Sequence, residues 1–151
     1  MTTLTAPNRA CSRGACADCD LDEELCPHWQ AAVVRLRPVV YICGPISDPD
    51  CIRVAENLHR FAVAENQLLR AGFAPLNPAS DWQAVKLGGT TYQMLMARDE
   101  ALVRKCADAL WQLDGWKASL GALREHDWAS DAGKPCVDEN EGVERLREVL
   151  G

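Results

Sequence analysis

From Pro38 onward, short apolar runs alternate with longer amphipathic stretches. PVVYICGP is an apolar, β-branched run closed by Gly-Pro, the pattern of a buried strand opening into a loop. In VAENLHRFAVAENQLLRAG, Val54, Leu58, Phe61, Leu68 and Leu69 recur at helical spacing, and Gly72 marks the stop. FAPLNPA predicts a brief strand that breaks at Asn-Pro, and a long polar loop through Gly88-Gly89 leads to a helix from about Thr91 to Cys106. ADALWQL predicts a further strand, the stretch after LDGW a helix, KPCV a short strand, and EGVERLREVL a terminal amphipathic helix. Strands alternating with helices of this length imply parallel βαβ crossovers, hence an α/β sandwich. Ligands of such sheets bind beyond the carboxyl ends of the strands, so ICGPISDPD, LNPASDW and LDGWKAS are the loops in which to look for chemistry.

The chain before Pro38 has no comparable period and cannot build a core alone. Instead, CSRGACADCDLDEELC places Cys11, Cys16, Cys19 and Cys26 within sixteen residues. This predicts a Cys-rich leader over 1–37 and an α/β domain over 38–151. Four thiolates at close spacing can staple a short segment around tetrahedral zinc. C-x4-C-x2-C-x6-C lacks the paired knuckles of zinc ribbons, and although its first three members match the start of a plant-type iron–sulfur run, the fourth comes too early. Structural zinc, an iron–sulfur cluster and plain reduced thiols all stay open. A site closed by four thiolates has no position left for substrate, so any metal there is expected to be structural. Cys43, Cys51, Cys106 and Cys136 fall in apolar segments and read as small core residues.

Composition narrows the function. At 151 residues and 48% hydrophobic content the chain is one domain's length with enough apolar material for a core. A net charge of −6 argues against a nucleic-acid partner, which needs clustered Lys and Arg. Met1 to Arg13 lacks the apolar centre of a signal peptide, and no run approaches the ~18 apolar residues of a membrane span, so a cytoplasmic protein without a membrane partner is expected. The sequence contains neither G-x-x-x-x-G-K-[ST] nor G-x-G-x-x-G, which counts against an ATPase or a dinucleotide oxidoreductase. His28, His59 and His126 show no spacing for metal binding or for activating a nucleophile.

One stretch carries candidate chemistry. In WKASLGALREHDWA, Ser119 is placed to cap a helix whose first N–H groups are unpaired and attract anions. Gly121, Ala122 and Glu125 share one face of that helix, and the two small side chains leave room in front of the carboxylate. The spacing alone favours a routine cap and a solvated glutamate.

YICGPIS, the LNPA step, and GWKASLGALRE followed by an alanine-containing helix and KPCV resemble the nucleoside 2-deoxyribosyltransferase superfamily, which includes the deoxynucleoside 5′-monophosphate N-glycosidases. The likeness covers about Val39 to Val137 and leaves the Cys-rich leader outside. It implies a flavodoxin/Rossmann-like sheet, a homo-oligomer of two or more chains, and glycosyl transfer needing no cofactor. Glu125 matches the nucleophile, Tyr41 the tyrosine that hydrogen-bonds it, and Gly44 the turn where the backbone meets the ligand. Asp99 is the candidate second carboxylate, with Glu100 selected by a register one residue different. Ser119 stands where free-nucleoside transferases carry aspartate and monophosphate hydrolases carry serine, which favours a 5′-phosphate. Lys117 and Arg53 are candidate cations for it, Gly121 a substrate-facing position, and Trp116 or Trp82 a stacking platform for the base. An N-glycosidase of (deoxy)nucleoside 5′-monophosphates is the expected function. Base exchange on free nucleosides, and ligand binding without turnover, are the alternatives.

Overall fold

Val40 and Ile42 project from one face of the first strand and Tyr41 and Cys43 from the other, and all four are fully buried. Such two-sided burial is what a central parallel strand requires. In this computed structural model, which describes residues 37–81 and 87–151, the chain divides at Arg37/Pro38. The leader cysteines Cys11, Cys16, Cys19 and Cys26, and Trp82, lie outside the described residues. Among the described residues no three His, Cys, Asp or Glu side chains converge to hold a metal, and no helix is long and apolar enough to cross a membrane.

The elements are β1 (Val39–Cys43), α1 (Cys51–Arg70), β2 (Ala74–Leu76), α2 (Tyr92–Lys105), β3 (Ala109–Gln112), α3 (Leu120–Asp131), β4 (Cys136–Asp138) and α4 (Val143–Leu150). Short 3₁₀ turns occupy Pro78–Asp81, Trp116–Ala118 and Glu139–Glu141. The sheet is parallel throughout, in the order β2-β1-β3-β4, with Tyr41 opposite Leu76 on one side and Leu110 on the other. It is the flavodoxin/Rossmann-like α/β sandwich expected from the alternating pattern. One core packs Phe61, Ala64 and Leu68 of α1 and Leu146 of α4 on Val40, Ile42, Ala109 and Trp111. The opposite core packs Val103 of α2 and Ala122 and Ala129 of α3 on Tyr41, Cys43 and Leu110.

Each longer helix starts at a polar cap. Asp50, Thr91 and Ser119 accept hydrogen bonds from Ile52, Met94 and Ala122 N–H respectively, satisfying donors that a helix cannot pair internally. Gly72, with φ at 94°, turns the chain from α1 into β2 through a conformation that costs other residues a steric clash.

Two expectations need correction. Leu69 is 47% exposed, because Phe61, Ala64 and Leu68 define the buried stripe and the next residue lies about 100° around the helix. Of the four scattered cysteines, Cys43 is buried and Cys136 half-buried, but Cys51 and Cys106 are exposed. Cys51 is the first residue of α1 and Cys106 the C-cap of α2, so both lie at helix ends rather than on core-facing stripes.

Candidate active site

The carboxyl end of β1 runs into Gly44, and the cleft that opens there is walled by α2 on one side and the start of α3 on the other. Gly44, Asp99, Ser119, Gly121, Ala122 and Glu125 line it, together with Ile46, Pro78, Tyr92 and Met96. Its volume of about 70 Å³ exceeds the ~10–15 Å³ that one water needs by several-fold.

Glu125 sits on the α3 face that meets β1 and is only 6% exposed. The Tyr41 hydroxyl donates to its Oε1 at 2.9 Å. Burial pushes the carboxyl up to about 8; the neighbouring Cys43 thiol and the Tyr41 hydroxyl pull it back, while the charge of Asp99 raises it further. At neutral pH the resting carboxyl is therefore largely protonated. Burial likewise holds the Tyr41 hydroxyl well above its usual range, with Glu125 and Asp99 adding to the effect, so it is a permanent donor here.

Asp99, 5% exposed, faces the same cleft from α2. Burial raises its carboxyl, Arg98 opposes the rise, and Asp81 adds to it. The Arg98 guanidinium spans both acids, 2.6 Å from Asp99 Oδ1 and 2.6 Å from Asp81 Oδ2, and ties the Pro78–Asp81 turn to the site. Glu100 instead pairs with Arg104 at 2.9 Å, on another side of α2 and away from the cleft lining. Asp99 is the carboxylate that the helix brings to Glu125.

The small residues differ in what they permit. A Cβ on Gly44 would stand 2.9 Å from Leu113 Cβ, whereas one on Gly121 would meet only Tyr92 Oη at 3.6 Å and Ser119 Oγ at 3.9 Å, pointing toward the cleft. Gly44→Ala is accordingly expected to destabilise the fold by about 1–3 kcal/mol through overpacking, read as a lower urea midpoint with unchanged m-value.

Trp116 does not join this cleft. Its indole is buried, donates from Nε1 to Asp138 Oδ1 at 2.9 Å and stacks on His126 at 4.6 Å between centroids. Gly115, at φ 82°, and the 3₁₀ turn that follows rotate the ring inward toward β4. With Gln112, Asp114, Lys117 and Glu139 it borders a separate hollow of about 250 Å³. Two of the acids there are already engaged, since Glu139 accepts from Arg60 and from the Asp114 N–H and Asp138 from Trp116. Lys117 lies over the indole, 5.4 Å from its centroid, and neither Lys117 nor Arg53 lines the Glu125 cleft.

The model of a family described as a domain of unknown function (DUF4406) matches residues 38–138, about two thirds of the chain. The chain belongs to the DUF4406 family. Among curated proteins, none matches it. The DUF4406 segment contains Tyr41, Gly44, Asp99, Ser119, Gly121 and Glu125, and ends before α4. Tyr92 also lines this DUF4406 cleft, and its place seven residues before Asp99, on the same helix face, is the periodic signal for it in the sequence. Cys43, two residues after Tyr41 on the same strand face, is fully buried, its thiol donating to the Ala122 carbonyl at 3.4 Å.

Proposed function

We propose that this DUF4406 protein is an N-glycosidase that cleaves the base–sugar bond of nucleoside 5′-monophosphates, deoxynucleotides foremost, with Glu125 as nucleophile. The observation that carries the proposal is the environment of Glu125: a buried carboxyl, fixed by Tyr41, behind two small residues and on the second turn of α3. A carboxyl raised so far from its ordinary range by burial, in a cleft, is a candidate reactive group. Likeness to the nucleoside 2-deoxyribosyltransferase superfamily supplies the reaction class.

The chemistry follows that of retaining glycosidases. The ionised Glu125 attacks the anomeric carbon as the C–N bond breaks; the bonding pair leaves with the base, whose ring nitrogen takes a proton. Asp99, held neutral more readily than an ordinary aspartate, is the candidate donor. Water then attacks the anomeric carbon and gives its proton to the ionised Asp99, releasing sugar phosphate and regenerating the Glu125 carboxylate. Ser119 presents a neutral hydroxyl at the first turn of α3, where free N–H donors and the helix dipole favour a phosphate.

Ser119→Asp separates the capping and phosphate roles. Aspartate caps helices as well as serine, so the unfolding free energy should stay within about 0.5 kcal/mol of wild type and the thermal midpoint should hardly move, while repulsion of the phosphate should raise KM for monophosphates by about tenfold or more. A midpoint that falls with KM unchanged would assign Ser119 to capping alone.

The proposal is tested by incubating the protein with each common ribo- and deoxyribonucleoside 5′-monophosphate, and with the matching nucleosides, with and without an acceptor base, and resolving products by chromatography. Free base from monophosphates without acceptor is the expected result. Acceptor-dependent exchange confined to free nucleosides would make the protein a transferase using the same carboxylate, and binding without any release would overturn the enzymatic reading.

A further inference from the structure

We propose that Arg98 is a positioning residue for Asp99: anchored by Asp81 of the Pro78–Asp81 turn, its guanidinium holds one carboxyl oxygen of Asp99 and leaves the other turned to the cleft. Only the catalytic consequence of this proposal rests on the function proposed above.

Arg98 and Asp99 are neighbours on α2, and adjacent residues of a helix do not face each other. At the spacings where helical side chains do meet, Arg98 has Met94, Leu95, Ala101 and Leu102, none of them an acid. A guanidinium bent back onto the next residue therefore needs a hold from outside the helix. Asp81 supplies it, its Oδ2 standing 2.6 Å from Nη1. The turn that carries Asp81 is itself fixed. Pro78 and Ala79 are buried, Asn77 Oδ1 accepts from the Ala79 N–H at 3.0 Å, and Asn77 Nδ2 donates to Glu65 of α1 at 2.8 Å. The support runs from α1 through the turn and the guanidinium to Asp99.

Both bonds from the guanidinium to Asp99 end on one atom, Nε donating to Oδ1 at 3.1 Å and Nη2 at 2.6 Å. Among the described residues Oδ2 takes no bond, and the one side-chain polar atom sealed from solvent without a partner is Trp111 Nε1. Oδ2 is thus left to the surface that Asp99 lines, which is the cleft. The charged and titratable groups around Asp99 are Arg98 from α2, Asp81 from the turn, Tyr41 from β1 and Glu125 from α3. Arg98 is the cation among them, and no described Lys or Arg lines the cleft. Lying outside that lining, it offsets the two acids without filling space that a substrate needs. In the reaction proposed above, Oδ2 is then the atom that gives its proton to the base and later takes one from water.

The test is a carbon-13 NMR titration of the full chain labelled at aspartate side-chain carboxyls, with the Asp99 signal assigned by its loss in Asp99→Asn. Arg98→Gln is expected to raise the Asp99 midpoint by about one pH unit, and Arg98→Lys, which keeps the charge but not the fork, by less than about half as much. Arg98→Lys against wild type gives the comparison if Arg98→Gln does not fold. The anchor is read separately: the Arg98 Nε–H should exchange with solvent about threefold faster or more in Asp81→Asn. A midpoint unmoved in Arg98→Gln, or an exchange rate unmoved in Asp81→Asn, would overturn the proposal. Where base release is measurable, Arg98→Gln should lower kcat by about tenfold with KM within about twofold of wild type, and a change confined to KM would also overturn it. A raised midpoint and faster exchange in a protein that releases no base keep the role of Arg98 and sink the glycosidase reading instead.

Discussion

Glu125→Gln is expected to lower base release from nucleoside monophosphates by at least about 10³-fold while leaving the fold in place. The substitution keeps side-chain volume and an oxygen that can accept from Tyr41 at the same position, so packing against β1 is preserved. An amide, however, cannot form the glycosyl ester, and the remaining groups contribute only orientation and a proton. Tyr41 cannot substitute, because its hydroxyl stays protonated far above neutral pH. Progress curves on the best monophosphate substrate, with far-UV circular dichroism as the folding check, read the effect directly. Loss of structure together with activity would leave the carboxylate's role to Tyr41→Phe, which removes the hydroxyl's bond and should slow release by about tenfold or more.

The second large effect is on pH dependence. The folded midpoint of Glu125, about 8, stands above its unfolded value of 4.5, so the native state binds this proton more tightly than the unfolded chain does. The resulting stability is present in full below about 4.5, is lost progressively as pH rises, and is gone above about 8. At about 1.4 kcal/mol per pH unit, the wild type should lose on the order of 4 kcal/mol across that window relative to Glu125→Gln, which has no proton to lose. Urea denaturation of both proteins at pH 5, 6.5, 8 and 9 tests it, since other titrating groups cancel in the difference. The same ionisation predicts that kcat/KM rises with pH up to about 8, because the nucleophile must be charged. A difference between the two proteins that is flat with pH would show that the fold does not burden this carboxyl. The pairing of a stability cost with a reactive group is typical of sites selected for chemistry rather than for packing.

Much of this arrangement was legible in the chain because it rests on period. The unbroken apolar run Val39–Cys43 marks a strand buried on both faces, and Ser119 is a short polar residue directly before a helical stripe. The shared face of Gly121, Ala122 and Glu125 follows from 3.6 residues per turn. What period could not say was which way that face points. A carboxylate on an otherwise small, apolar face is as compatible with solvent as with a cleft, and only the packing of α3 on Tyr41 and Cys43 buries Glu125. Trp116 shows the converse limit. Its loop was correctly placed at a strand end, but the left-handed Gly115 and the 3₁₀ turn swing the indole toward Asp138 and away from the cleft. Asp99 and Glu100 are adjacent in sequence and chemically alike, and the helix separates them by about 100°, so one meets the cleft and the other Arg104. Apolar neighbours in sequence do not bury Cys51 and Cys106, because both sit at helix ends.

The central claim is that the Glu125 carboxylate becomes bonded to the sugar during turnover. Acid-quenching the protein with its best monophosphate substrate in the steady state, followed by peptide mass spectrometry, tests it most directly. The predicted result is a sugar-phosphate adduct on the peptide that contains Glu125, absent from Glu125→Gln. An adduct on another side chain, or base release at the wild-type rate by Glu125→Gln, would contradict it.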